Sequence, residues 1–366
     1  MLRNIFLMGA SIPPFTRAGN SAVVSDLMCK APLGEGAKRR MRVGSPEGEG
    51  LDPLYTPPQY LVHDDYSTAV RCGAMFTRNF RFVFFVAALA ALTAVSAPAQ
   101  QKSRPQPPKS VRLYILDCGK ITGVGETAFG FKPGQLATTE MFTPCYLIVH
   151  PRGTLMWDTG EISDKNFTAP GPATQGAFTV TKPLLPQLAA IGYTPADITY
   201  LALSHYHGDH VANANAFAGS TWIVQKVERD AMFAKTTGNT AGPTTANVAL
   251  FGDLEKSKTT LLNSQDHDVF GDGSVVIKFT PGHTPGHQSL FLKLAKTGPI
   301  LLSGDLYHYP EELKLKIIPG FDFNKEQTAK SREMIEAFVK NTKAQLWIQH
   351  DAIASAKLKK SPEYYE

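Results

Sequence analysis

The run Ser204-His205-Tyr206-His207-Gly208-Asp209-His210 constrains this chain more than any other stretch. Three histidines and an aspartate fall within six residues, directly after the apolar segment ITYLALS at 198–204. A buried strand does not end in four polar, ligating side chains unless its end opens onto something that needs them. In extended backbone His205 and His207 point to one side, so both imidazoles can reach one cation. Gly208 lets the chain turn, after which Asp209 and His210 can address a second cation beside the first. Imidazole nitrogen and carboxylate oxygen are the donors that catalytic zinc sites use. A patch of surface histidines is the bland alternative, and the position behind an apolar strand argues against it.

The same pattern recurs along the chain. Segments 111–119, 145–151, 153–160, 221–225, 274–280, 288–294, 299–305 and 344–351 read as strands. Helical spacing marks 182–192, 211–218, 226–234 and 324–342. Residues 161–180 read as a Gly-, Pro- and Thr-rich loop, and 236–264 as a polar lid or insertion. Apolar strands end in polar groups at Asp158, at His205 to His210, and at His283, Asp305 and His350. Strand ends gathered on one rim are where α/β architectures place their chemistry. A two-sheet core with helices outside accounts for this.

The ligand set then divides. His205, His207 and His283 would hold one metal, Asp209, His210 and His350 a second, and Asp305 would bridge both. Two divalent ions roughly 3.5–4 Å apart lower the pKa of a shared water toward about 7. His287 is four residues after His283, but Pro285 and Gly286 intervene, which disfavours a helical pair, and His287 reads as a support behind the ligands. Asp158 reads as a support for the loop at 205–210. His150 and His267 read as surface or satisfied histidines.

Composition places limits on the rest. The chain has 366 residues, 43% hydrophobic and 19% charged, which fits a globular protein rather than a disordered one. A formal charge of +5 without long basic runs gives no nucleic-acid partner. Residues 75–99 have the three parts of a secretory signal peptide: Arg78 and Arg81, an apolar run from Phe82 to about Val95, and Ala97-Pro98-Ala99. That run is too short for a firm membrane span, so no stable span is expected after cleavage. A leader belongs at a chain start, which places translation initiation at Met75 and leaves 1–74 unstructured or untranslated. Residues 100–109 read as a Pro-rich linker, and 110–366 as the catalytic domain. The expected location is periplasmic or secreted. There Cys118 and Cys145 either pair or remain two free thiols. The pattern allows a homodimer without requiring one.

The segments SHYHGDH (204–210), TPGHTPGHQSLF (280–291), SGD (303–305) and QHD (349–351) resemble the metallo-β-lactamase superfamily. Within it they look most like the N-acyl-homoserine lactonase family, over nearly all of 111–366. The resemblance implies an αββα sandwich and places the third histidine ligand at His283 rather than His287. It implies a dinuclear metallo-hydrolase, with zinc as the expected ion, that opens a lactone through a hydroxide bridging the metals. An N-acyl-homoserine lactone is the expected substrate, which would make the activity quorum quenching. One position departs from the family: three residues after the bridging aspartate, a tyrosine that polarises the lactone carbonyl is replaced by His308, flanked by Tyr307 and Tyr309. The catalytic expectation is therefore Tyr307 or His308 at the carbonyl, with Asp209 passing a proton to the leaving alkoxide. Another ester, an organophosphate, a thioester or a β-lactam is the alternative substrate. Asp305 argues against the β-lactam, because the β-lactamases of this fold lack a bridging carboxylate there. A metal-binding or sensor protein without turnover is the alternative from another class.

Overall fold

The computed structural model describes residues 105–234 and 245–366. The expected leader at 75–99, the segment 1–74 and the start of the expected linker lie outside the described residues. Among the described residues no helix is long and apolar enough to cross a membrane.

Two mixed sheets form the core. The strands of the first are β1 (Arg112–Ile121), β2 (Met141–His150), β3 (Gly153–Trp157), β4 (Ala173–Gln175), β5 (Phe178–Val180), β6 (Tyr200–Ala202), β7 (Thr221–Gln225) and β8 (Thr259–Leu262). They run in the order β4-β5-β1-β2-β3-β6-β7-β8. The second sheet is built from β9 (His267–Asp268), β10 (Val275–Phe279), β11 (Gln288–Leu294), β12 (Gly298–Leu302) and β13 (Gln345–Trp347), in the order β13-β12-β11-β10-β9. The helices are α1 (Leu184–Ala190), α2 (Gly208–Val211), α3 (Lys226–Met232), α4 (Thr245–Phe251), α5 (Pro310–Leu315), α6 (Lys325–Thr342) and α7 (Ala352–Ser355).

Strand alternation explains the layering. On β1, Leu113 and Ile115 face one way and Tyr114 and Leu116 the other, and all four are buried. Leu113 and Ile115 join Ile148, Trp157, Ile277, Leu290 and Leu302, so the two sheets pack face to face. Tyr114 and Leu116 join Leu184, Leu188, Val211 and Phe251 of the helices that cover the first sheet. Phe291 and Leu301 turn outward from the second sheet against Ile335 and Phe338 of α6. The order is helix, sheet, sheet, helix, the αββα sandwich that the resemblance implied. A disulfide joins Cys118 of β1 to Cys145 of β2, which resolves the alternative left open above.

Three local expectations are corrected. The span read as a loop at 161–180 contains the β4–β5 hairpin, docked on the end of β1 through Lys120↔Thr179 and Ile121↔Phe178. The described part of the polar span at 236–264 folds as α4, a 3-10 turn and the edge strand β8, with Phe251 and Leu254 fully buried. The strand expected to carry His205 and His207 stops at Ala202, and both histidines sit in the loop before α2.

Candidate metal centre

Parallel pairing brings the site together. β3 pairs parallel to β6, and β12 to β13, so each pair delivers its C-terminal ends to one edge. Asp158 follows β3, His205 follows β6, Asp305 follows β12 and His350 follows β13. His283 lies in the turn between β10 and β11. The sheets meet at this edge through the Gln288 N–H, which donates to the Ser204 carbonyl at 2.8 Å.

The seven expected ligands converge as two groups that share a member. His205, His207, His283 and Asp305 offer donor atoms within 4.8 Å of one another, and so do Asp209, His210, Asp305 and His350. Asp305 divides its oxygens between them. Oδ2 lies 3.6 Å from His205 Nε2 and 3.4 Å from His283 Nε2, whereas Oδ1 lies 3.2 Å from His210 Nε2 and 3.1 Å from His350 Nε2. The gathered atoms lack ordinary partners. His205 Nε2, His210 Nε2 and Asp305 Oδ1 are buried with no hydrogen bond. Orphaned buried polar atoms are rare in folded proteins and call for an ion or ligand. His207 Nδ1 and His283 Nε2 lie 2.9 Å apart. Burial first, and then the charge of His283, pulls His207 down to about 3. Burial followed by His210 pulls His205 well below its ordinary value. Both rings therefore stay neutral and offer lone pairs, the form a metal takes. Burial opposes the charge on Asp305, yet His210 and His350 outweigh it and hold the carboxyl well below the usual range. The donor set fits two divalent cations.

Three of the histidine ligands are held from behind, which fixes ring orientation. His283 Nδ1 lies 3.0 Å from Asp322 Oδ1, His210 Nδ1 3.0 Å from Asp158 Oδ2, and His350 Nδ1 2.9 Å from the Phe142 carbonyl. Asp158 holds a left-handed backbone at φ 58°, unusual without glycine. That conformation aims Oδ1 at the Ser204 N–H, 2.6 Å away, while Oδ2 also accepts from Gln349 Nε2 at 2.9 Å. The support expected of Asp158 is thus present in the structure. His287 Nε2 accepts from the Asp305 N–H at 2.9 Å, behind the bridging residue. Gly304, at φ 55°, is needed beside it because a Cβ there would lie 2.6 Å from His287 Nε2.

Three supporting carboxylates escape sequence reading: Asp322, Glu312 and Glu228. Buried Glu228, from α3, accepts from the Tyr206 N–H at 3.0 Å, the Gly286 N–H at 2.7 Å and the Thr284 hydroxyl at 2.8 Å. One side chain therefore joins the loop of His205 and His207 to the loop of His283. No spacing rule links residue 228 to 206 or 286, so only the fold reveals the contact.

The structure separates the residues around 308. Backbone at Tyr307 is extended, at φ −142° and ψ 135°, so neighbouring side chains point to opposite sides. Tyr307 turns away from the histidines into the layer under α6, and its hydroxyl donates to Glu336 at 2.9 Å. This corrects the expectation of Tyr307 at the carbonyl. Tyr309 is likewise turned away, its hydroxyl donating to the Thr139 carbonyl at 3.2 Å. His308 faces the cluster, with Nε2 3.3 Å from Asp305 Oδ2. Burial lowers its affinity for a proton, but Glu312 and Asp305 on either side outweigh this and push it up to about 10. Rings of Phe129 and Phe321 lie 5.1 and 5.5 Å from it, forming an apolar wall.

Comparison with known proteins agrees with this geometry. A family model for the metallo-beta-lactamase superfamily matches residues 138–342. N-acyl homoserine lactonase AttM of Rhizobium radiobacter is 33% identical over 267 residues, covering 70% of this chain and 98% of that protein. N-acyl homoserine lactonase AiiA of Bacillus thuringiensis subsp. kurstaki is 27% identical over 269 residues, covering 69% and 98%. A crystal structure of a quorum-quenching N-acyl homoserine lactone lactonase superimposes with a TM-score of 0.58 at 25% identity, covering 70% of this chain and 98% of that one. From the shared fold, the superfamily match and the AttM relationship, the chain belongs to the metallo-beta-lactamase superfamily, in its N-acyl homoserine lactonase family.

Proposed function

We propose that the chain opens the ring of N-acyl-homoserine lactones with the help of two divalent ions, zinc in the native protein. The convergence of His205 Nε2, His210 Nε2 and Asp305 Oδ1 as buried atoms without partners carries this reading. His205, His207 and His283 would hold one ion and Asp209, His210 and His350 the other, with one oxygen of Asp305 toward each. Such a pair, when bound, polarises a carbonyl and makes water a competent nucleophile near neutral pH. The mix of neutral imidazole and carboxylate suits zinc.

The chain's own residues supply the rest. His308 directs Nε2 toward the reacting carbonyl and donates to its oxygen as negative charge develops there. Asp209, whose side chain is 14% exposed against 1–4% for His210, Asp305 and His350, is placed to take the proton that the attacking water releases and hand it to the departing alkoxide. Phe129 and Phe321 exclude water beside His308 and offer an apolar surface to an acyl chain. The names of the relatives support the substrate class. The Cys118–Cys145 disulfide supports export to an oxidising compartment, as the leader at 75–99 suggests.

Mass spectrometry of the zinc-loaded protein with N-hexanoyl-homoserine lactone tests the proposal. The predicted product is the ring-opened acyl-homoserine, heavier by one water. An intact lactone, with turnover of a chromogenic ester or cephalosporin instead, would replace the substrate class.

A further inference from the structure

The histidine at 308 comes with its own fittings. His308 Nδ1 lies 3.1 Å from Glu312 Oε1. Glu312 is fully buried, and its other oxygen accepts from Arg332 Nη2 at 2.5 Å. Arg332, on α6, is engaged on every side. Its Nε donates to the Leu306 carbonyl at 2.8 Å, its Nη1 to the Ile317 carbonyl at 2.5 Å, and the guanidinium lies 4.3 Å over the Tyr307 ring. Leu306 and Ile317 bracket the segment that carries His308, Glu312 and α5. One arginine thus grips both ends of that segment and, through Glu312, the ring between them.

The chemistry of the acceptor decides the orientation. Glu312 accepts from Arg332 through one oxygen and from the ring through the other, so the Nδ1–H of His308 is spent on Glu312 and its Nε2–H is the donor turned to the site. A phenol at this position would present a single oxygen on its ring axis. An imidazole has two unlike nitrogens and needs one of them claimed before the other is reliably aimed. Removing two charges from water is costly, and an apolar pair of similar volume would pack α6 against this segment as well. The buried Glu312–Arg332 pair does what an apolar pair could not: it holds the ring by Nδ1 and so aims Nε2.

We propose that Glu312 and Arg332 are positioning residues for the reaction, Arg332 fixing Glu312 and Glu312 fixing the His308 ring so that Nε2 meets the substrate carbonyl beside Asp305. This rests on the lactone-opening reading above.

The test uses the zinc-loaded full chain and the variants Glu312→Ala, Glu312→Gln, His308→Ala and the double variant His308→Ala/Glu312→Ala. Loss of a side chain behind an active ring costs about 10- to 100-fold, and that loss is predicted in kcat for Glu312→Ala, with KM and two bound zinc ions retained. Glu312→Gln, which keeps an acceptor oxygen, is predicted to recover most of it. In the His308→Ala background the Glu312→Ala change is predicted to add nothing, since the two residues act as one unit. A loss that persists undiminished in that background would overturn the proposal. Nitrogen-15 spectra read the positioning without turnover. The native protein is predicted to show a protonated His308 Nδ1 that Glu312→Ala disturbs, and a native ring lacking that proton would also overturn it. A native protein that leaves lactones intact yet shows the Nδ1 proton would overturn the substrate reading while keeping the positioning.

Discussion

At the scale of single residues, Asp305 carries most of the design, because one carboxylate faces both ligand groups at 3.1–3.6 Å. Next to it, two adjacent residues have opposite fates. Removing a donor aimed at a developing oxyanion costs about 10²- to 10³-fold in kcat, and that loss is predicted for His308→Ala in steady-state assays. Tyr307→Phe is predicted to leave kcat intact and to lower stability by about 1 kcal/mol through its lost bond to Glu336, as read by urea denaturation. A large kcat loss for Tyr307→Phe would restore it to the site. Glu161 gives a pH signature. Burial pushes this carboxyl up to about 8, while it accepts from the Thr143 hydroxyl at 2.7 Å and the Thr179 N–H at 3.1 Å. The folded state thus keeps a proton that the unfolded chain releases above about pH 4.3. That stabilisation is full below the unfolded value and is lost as pH rises through about 8. Glu161→Gln keeps acceptor and donor capacity without the charge. Its Tm relative to the native protein is predicted to improve steadily from about pH 5 to about pH 9, and a difference constant with pH would contradict the assignment.

At the scale of elements, legibility followed the range of the interaction. The run at 205–210 was readable because its ligands are adjacent, and His283, Asp305 and His350 because each follows an apolar strand. The carboxylates behind them were not readable, since Asp322, Glu312 and Glu228 acquire meaning only through contacts across the fold. Tyr307 and His308 could not be told apart without the backbone angle that sends one outward. The β4–β5 hairpin was missed because its strands, ATQ and FTV, are three residues each and lack alternation. Cys118 and Cys145 lie on neighbouring antiparallel strands, 27 residues apart in sequence. Closing a loop of that length is worth about 3.5 kcal/mol by chain entropy. Cys118→Ser/Cys145→Ser is therefore predicted to lose about that much stability in denaturant titrations, and an unchanged midpoint would count against the bond.

At the scale of the whole molecule, two sheets pack through one shared core and bring five strand ends to a single edge. The sequence pattern implied both the layering and the edge, because apolar runs stopping at polar residues are visible without coordinates. The proposed role of this edge as a two-metal centre that opens lactones can be checked by a metal titration of the stripped protein. Zinc is added stepwise while bound metal and opening of N-hexanoyl-homoserine lactone are measured together. Two ions per chain are expected, with ring opening rising as they fill and His205→Ala and His210→Ala each binding less metal. Full activity in the stripped protein, or an intact lactone with both ions bound, would contradict it.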